Sequence, residues 1–145
     1  MRMLRTAALS ATLLVVLGVL ALGQAQKPVM KKTAAPQTSP ASGQEMFVNY
    51  CAACHGKDAK GNGPAAASLK GTPADLTTLA RRNQGKFPSS HVYQVLKGGA
   101  AASVHGSQEM PVWGPVFRSL EKGDEAMVQM RISNLTKYIE SLQVK

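Results

Sequence analysis

The sequence predicts an all-α domain built from short helices and long loops. After Asp124, apolar residues recur at +4, +3, +4 and +3 spacing, which is the single apolar stripe of an amphipathic helix. No run alternates apolar and polar residues for long enough to predict a strand. Residues 56–64 and 98–116 are rich in Gly and Pro and are predicted to be loops. The stripe consists of Val128, Ile132, Leu135, Ile139 and Leu142.

Three shorter helices are predicted before this last one. Ser42-Gly43-Gln44-Glu45 has the pattern of a capping box and predicts a first helix that runs into Cys51. Residues 75–82 form a second short helix, with Thr72 or Asp75 near its cap. Residues 91–97 form a third, which ends at Gly98-Gly99.

The N-terminal region has the features of an exported protein. Residues 1–25 predict a signal peptide, because Arg2 and Arg5 precede an apolar run and Gly23-Gln24-Ala25 offers a cleavage site. An uncleaved anchor over residues 6–26 is the alternative. Both interpretations place the remainder in the periplasm, soluble or tethered to the inner membrane. Residues 26–42 contain three prolines and predict a flexible tether, which leaves residues 43–145 as the domain.

Length and composition exclude several classes of protein. The 145 residues are too few for a multi-domain enzyme, and two cysteines are too few for a disulfide-rich scaffold. The whole chain has a net charge of +9, but residues 43–145 hold 12 basic and 8 acidic residues. This modest, unclustered excess argues against a nucleic-acid binder. The same region has only 28 large apolar side chains, so a bound group is expected to fill part of its core.

Both cysteines lie in Cys51-Ala52-Ala53-Cys54-His55, the C-x-x-C-H signature of c-type haem attachment. On a helical turn, residues three apart face the same side, so both thiols can form thioethers with the two vinyl groups of one haem. His55 is then held where its imidazole can bind the iron as the proximal ligand. A disulfide or redox dithiol and a zinc site are the alternatives.

The distal iron ligand has to come from another part of the chain. Met110 is the expected ligand, because it lies in the long loop and Pro111 stiffens that loop. His105 is the competing candidate and would give bis-His coordination. His91 starts a helix and is expected to be solvated.

From Gly43 to Leu142, the chain resembles a class I monohaem cytochrome c. The resemblance implies a cytochrome c-like fold around one covalent haem c, with the first and last helices crossing where Gly43 and Phe47 meet Tyr138 or Leu135. It also implies that the Pro64 carbonyl accepts a hydrogen bond from His55 Nδ1. Trp113 either donates to a haem propionate or is an ordinary core aromatic. The motifs, in chain order, are Cys51-x-x-Cys54-His55, Gly61-x-Gly63-Pro64, Thr72-Pro73-Ala74-Asp75-Leu76, Met110-Pro111 and Leu135-Thr136-Lys137-Tyr138-Ile139-Glu140-Ser141-Leu142.

The predicted function is one-electron transfer by Fe(II)/Fe(III) cycling, without catalysis by this chain itself. The chain acts either as a free carrier or as the haem-bearing subunit of a larger oxidoreductase. A non-haem thiol–disulfide protein is the remote alternative. The expected partners are redox proteins of unspecified identity, with no nucleic acid and with a membrane tether only if residues 6–26 stay attached. Lys57, Lys60 and Lys70 could steer an acidic partner or form a generally solvated surface.

Overall fold

A computed structural model describes residues 35–99 and 110–144, and all regular secondary structure in these two ranges is helical. The leader or anchor, residues 26–34 of the tether and His105 lie outside the described residues. Within the described ranges, no helix is long and apolar enough to cross a bilayer.

The helices are short until the end of the chain. The first is composite: an α-helical turn α1 (Gly43–Met46), a π-helical turn (Phe47–Cys51) and a second α-helical turn α2 (Ala52–His55). Two 3₁₀ turns follow, Ala66–Ser68 and Leu76–Thr78. The remaining helices are α3 (Leu79–Arg82), α4 (Ser89–Lys97), α5 (Trp113–Leu120) and α6 (Glu125–Ser141).

Side-chain caps set where the first helix begins. The Ser42 hydroxyl accepts a hydrogen bond from the Glu45 backbone N–H at 3.1 Å, as the capping-box pattern predicts. The second bond of that pattern, from the Ser42 backbone N–H to the Glu45 carboxylate, does not form. The Ser42 N–H instead donates to the Ser39 carbonyl at 3.2 Å, and the Glu45 carboxylate accepts from the Ser39 N–H at 3.1 Å. The cap therefore includes two residues, Ser39 and Ser42, from the segment predicted to be a flexible tether.

The middle helices also follow the sequence closely. Asp75 caps the 3₁₀ turn that leads into α3, where its carboxylate accepts from the Thr77 N–H at 2.8 Å. Helix α4 starts two residues earlier than predicted, at Ser89, and ends at Gly98. Gly98 has φ +94°, a left-handed conformation that glycine adopts without steric cost.

Helix α6 is the longest element and supplies much of the core. Asp124 caps it by accepting from the Ala126 and Met127 N–H groups at 3.0 and 3.2 Å. The predicted stripe faces inward, because its first four members are at most 3% exposed, while Leu142 is half-buried. The amphipathic helix that the spacing predicts is confirmed.

The first and last helices cross at very short range, as the resemblance implies. A Cβ atom placed on Gly43 would lie 2.3 Å from the Asn134 carbonyl oxygen and 2.7 Å from Tyr138 Cβ. Only glycine permits this approach, since real side chains do not make contacts this short. One helical turn further, the Phe47 and Tyr138 rings pack with centroids 5.5 Å apart.

The predicted loop over residues 98–116 is wrong at its C-terminal end, because α5 begins at Trp113. Pro115 suggests a loop, yet it lies in the first turn, where a missing N–H breaks no helical hydrogen bond. Trp113 and Phe117 are one turn apart, and both are buried against the core. Burial of this aromatic pair outweighs the local Gly and Pro content.

The predicted flexible tether is wrong for residues 35–42, which belong to the folded unit. Thr38 is 8% exposed, and its hydroxyl and carbonyl oxygens accept hydrogen bonds from Arg131 at 2.8 and 2.7 Å. The Pro36 carbonyl accepts from the Tyr50 hydroxyl at 2.6 Å. The Pro40 carbonyl accepts from the Asn134 side chain at 2.9 Å. Polar composition predicts a tether here, but buried partners elsewhere in the chain hold the segment in place.

We expect Gly43→Ala to destabilise the holoprotein by about 1–3 kcal/mol, because the added methyl group pushes α1 and α6 apart. The matched control is Gly71→Ala, since a Cβ at Gly71 meets nothing within 4 Å and the residue has no left-handed backbone. Urea unfolding of both variants measures the difference. Equal stability of the two variants would show that the crossing is not tight.

Candidate functional site

The two cysteines lie in the C-terminal half of the composite first helix. Cys51 ends the π-helical turn and is 7% exposed, whereas Cys54 lies within α2 and is half-buried. Both are free thiols. A π-helical turn is uncommon and is frequently found at functional sites. Here it ends at the first residue of the C-x-x-C-H motif.

The environment of Cys51 disfavours the thiolate. Burial raises the pKa of the Cys51 thiol to about 12, and the nearby Cys54 contributes in the same direction. Redox dithiols need a lowered thiol pKa and solvent access, because the thiolate is the nucleophile. The site therefore argues against the thiol–disulfide alternative.

His55 is oriented by a backbone carbonyl. Its Nδ1 lies 3.0 Å from the Ala74 carbonyl oxygen. A carbonyl can only accept, so Nδ1 carries the proton and Nε2 keeps a free lone pair. Burial lowers the pKa of His55, and the bond to Ala74 opposes that shift. A neutral imidazole with a free Nε2 is the form that binds a metal.

The expected partner of His55 was Pro64, and that expectation is wrong, because the acceptor is Ala74. The Gly63-Pro64 pair instead folds back on the haem-attachment motif. The Gly63 N–H donates to the Cys54 carbonyl at 3.0 Å, and a Cβ on Gly63 would lie 2.4 Å from the Ala53 carbonyl oxygen. Close backbone packing thus accounts for the glycine of this pair.

The Ala74 carbonyl is held in place by the loop that follows the motif. Gly61 has φ +82°, and its N–H donates to the His55 carbonyl at 2.7 Å. A Cβ on Gly61 would lie 2.2 Å from the Pro73 carbonyl oxygen, so glycine lets the loop and the Pro73–Ala74 turn meet. The Leu76 N–H also donates to the Ala59 carbonyl at 2.8 Å. A backbone carbonyl acceptor cannot be identified from residue type, so the sequence does not point to Ala74. The neighbouring Pro73 is the one sequence signal for this turn.

Met110 and Trp113 lie at the start of the second described range, residues 110–144. Met110 is 36% exposed and is separated from α5 by Pro111 and Val112. Trp113 is buried among aromatic rings, with centroids 5.2 Å from Tyr50 and 5.7 Å from Phe117. This packing matches the core-aromatic interpretation of Trp113, and its hydrogen bond to a propionate stays a prediction.

The donor set fits a covalently bound haem. Two free thiols three residues apart precede a neutral imidazole with a free Nε2, which are the groups that a c-type haem requires. A zinc site would need further ligands. In residues 35–99 and 110–144, no three His, Cys, Asp or Glu side chains gather as a metal site.

Comparison with known proteins gives one match. The family model described as "Cytochrome C oxidase, cbb3-type, subunit III" matches residues 38–129, well over half of the chain. No curated protein and no solved structure matches the chain significantly. The match starts at the buried Thr38, which agrees with the early start of the folded unit. It confirms the cytochrome c-like all-α fold and the predicted cofactor, one haem c, and it supports haem-based electron transfer. The chain belongs to the cbb3-type cytochrome c oxidase subunit III family, a family of class I monohaem cytochromes c.

Proposed function

We propose that this chain is an exported cytochrome that carries single electrons through a haem attached to Cys51 and Cys54. His55 is the proximal iron ligand and Met110 the distal one. The hydrogen bond from His55 Nδ1 to the Ala74 carbonyl carries this proposal, because it presents the other ring nitrogen for coordination. The bound haem supplies the one-electron oxidation and reduction of its iron.

The chain's own residues tune and protect this chemistry. The Ala74 carbonyl makes the His55 ring more basic and fixes its orientation, and both effects strengthen a proximal ligand. Burial of Cys51 keeps water away from one attachment point. A thioether ligand from Met110 raises the reduction potential relative to a second imidazole from His105. If His55 and Met110 both held the haem iron, the group would supply one-electron transfer and no position on the iron would remain for a substrate.

Lys57 and Lys60 support transient docking of an acidic redox partner. Both side chains are exposed in the loop directly after His55. Surface charges of one sign raise the rate of encounter with a partner of opposite sign more than they raise affinity. Asp58 lies between them, so the local excess of positive charge is small.

A second candidate is a haem-bearing subunit of a larger oxidoreductase. The family description, which names a subunit of a cbb3-type oxidase, favours it. Native purification in mild detergent followed by size exclusion distinguishes the two. A free carrier elutes near the mass of the 15.3 kDa chain or of its processed form, whereas a subunit co-elutes with the catalytic chain and its activity.

Export rests on the N-terminal sequence. Residues 1–25 form a cleavable signal peptide, or residues 6–26 remain as an anchor, and in both cases the haem domain lies in the periplasm.

Replacing both Cys51 and Cys54 with Ala should abolish covalent haem attachment and leave a largely unfolded apoprotein, because the side-chain core is small. The Soret band after acid–acetone extraction and the far-UV circular dichroism measure the two effects. A folded, colourless double variant would contradict the idea that haem completes the core. A Soret band that resists extraction would contradict the attachment sites.

Replacing Met110 with Ala should lower the reduction potential and open the iron to exogenous ligands, since a thioether ligand is lost. The matched control is Met130→Ala, because Met130 is 44% exposed on α6. A redox titration and the ferric thioether–iron charge-transfer band provide the measurement. If Met110→Ala keeps the wild-type spectrum, the axial ligand is another residue.

A further inference from the structure

Arg131 is a fully buried charge that lies outside the C-x-x-C-H site. It is 1% exposed, and its Nε donates to the Glu121 carboxylate at 2.5 Å. Its two terminal nitrogens donate to the Thr38 hydroxyl and carbonyl oxygens at 2.8 and 2.7 Å. Its guanidinium also lies over the Phe117 ring, 5.8 Å from the centroid. A buried charge is costly unless it is paired and hydrogen-bonded, and these partners satisfy the guanidinium inside the domain.

A chain of hydrogen bonds with one fixed direction leads from Arg131 to the first helix. The guanidinium can only donate, so it occupies an acceptor lone pair of the Thr38 hydroxyl. The Tyr50 hydroxyl uses its proton on the Pro36 carbonyl, at 2.6 Å. The 2.8 Å contact between the Thr38 and Tyr50 hydroxyls is therefore donated by Thr38. We name Arg131, Thr38 and Tyr50 the clasp.

Tyr50 joins the two segments that carry the proposed iron ligands. It directly precedes Cys51 in the π-helical turn. Its ring packs against Trp113, with centroids 5.2 Å apart, and against Phe117 at 5.7 Å. Trp113 is the first residue of α5, three residues after Met110. A shift of the Tyr50 ring would therefore displace both the Cys51 segment and the start of α5.

We propose that Arg131, acting through Thr38 and Tyr50, is a positioning residue that holds the Met110 segment against the Cys51–His55 segment. This inference rests on the proposed function, because it takes Met110 as the distal ligand. The clasp fixes the Tyr50 ring, the ring fixes the start of α5, and α5 limits how far Met110 can move from the iron. Nothing in the clasp needs to touch the haem.

The clasp predicts a measurable competition at the iron. An exogenous ligand such as imidazole binds ferric iron only when the distal side chain has left. Its apparent affinity therefore rises when the bound arrangement of Met110 becomes less stable. A residue that contributed only to global stability would change the unfolding free energy without changing this affinity.

The test is an imidazole titration of the ferric holoprotein with two conservative variants. Tyr50→Phe keeps the aromatic ring and removes its hydroxyl, and Thr38→Val keeps the shape of the side chain. Arg131 itself is left intact, because its removal would leave the Glu121 carboxylate without its partner. We expect each variant to bind imidazole about fivefold more tightly, the equivalent of roughly one net hydrogen bond.

Two reference variants make the result decisive. Arg118→Gln removes the exposed ion pair between Arg118 on α5 and Glu125 on α6, so it weakens a contact between these helices that involves no clasp residue. It should leave imidazole binding unchanged. Met110→Ala should bind imidazole far more tightly than any clasp variant and sets the upper limit.

Tighter imidazole binding in both clasp variants, with Arg118→Gln unchanged, supports the proposal. Suppose that both clasp variants bind imidazole with wild-type affinity while Met110→Ala binds it much more tightly. That result overturns the positioning role and leaves the proposed function intact. An effect of equal size in Arg118→Gln also overturns it, because the clasp would then have no special role. If Met110→Ala itself binds imidazole no better than wild type, the axial assignment fails and the inference fails with it.

Discussion

The hydrogen bond between His55 Nδ1 and the Ala74 carbonyl is the interaction on which the site depends. It settles the tautomer of the imidazole, because a carbonyl cannot donate. Several features of the surrounding loop hold the Ala74 carbonyl within hydrogen-bonding distance of His55. Gly61 lets the chain approach the Pro73–Ala74 turn, and its N–H binds the His55 carbonyl. A site residue and its orienting carbonyl are thus held by backbone geometry more than by side chains.

The rest of the domain is a frame that keeps the first helix fixed. Its N-terminal turn is pressed against α6 at Gly43, and its central turn is anchored through Tyr50 to the buried Arg131 network. Removing one partner of such an arrangement is strongly destabilising, because it leaves a buried charge unpaired. Here the arrangement joins residues 35–42, the first helix, α5 and α6.

Family membership and site geometry agree on haem-based electron transfer. The match shows the family, and the neutral imidazole beside two free thiols supplies a donor set that suits its cofactor. Burial of Cys51, which raises the pKa of its thiol, disfavours the dithiol alternative, because a redox dithiol needs an accessible thiolate.

Local sequence rules were sufficient wherever neighbours along the chain decide the outcome. The caps at Ser42 and Asp75, the stripe of α6 and the C-x-x-C-H motif all depend on residues within about two helical turns. Three features escaped those rules: the docking of residues 35–42, the start of α5 inside a Gly- and Pro-containing stretch, and Ala74 in place of Pro64. Each is decided by a partner far away in the chain, such as Arg131 for Thr38, or by a backbone carbonyl that carries no side-chain signal. Such partners meet only when the chain has folded, because burial and hydrogen-bond satisfaction are properties of the packed molecule and not of any short segment.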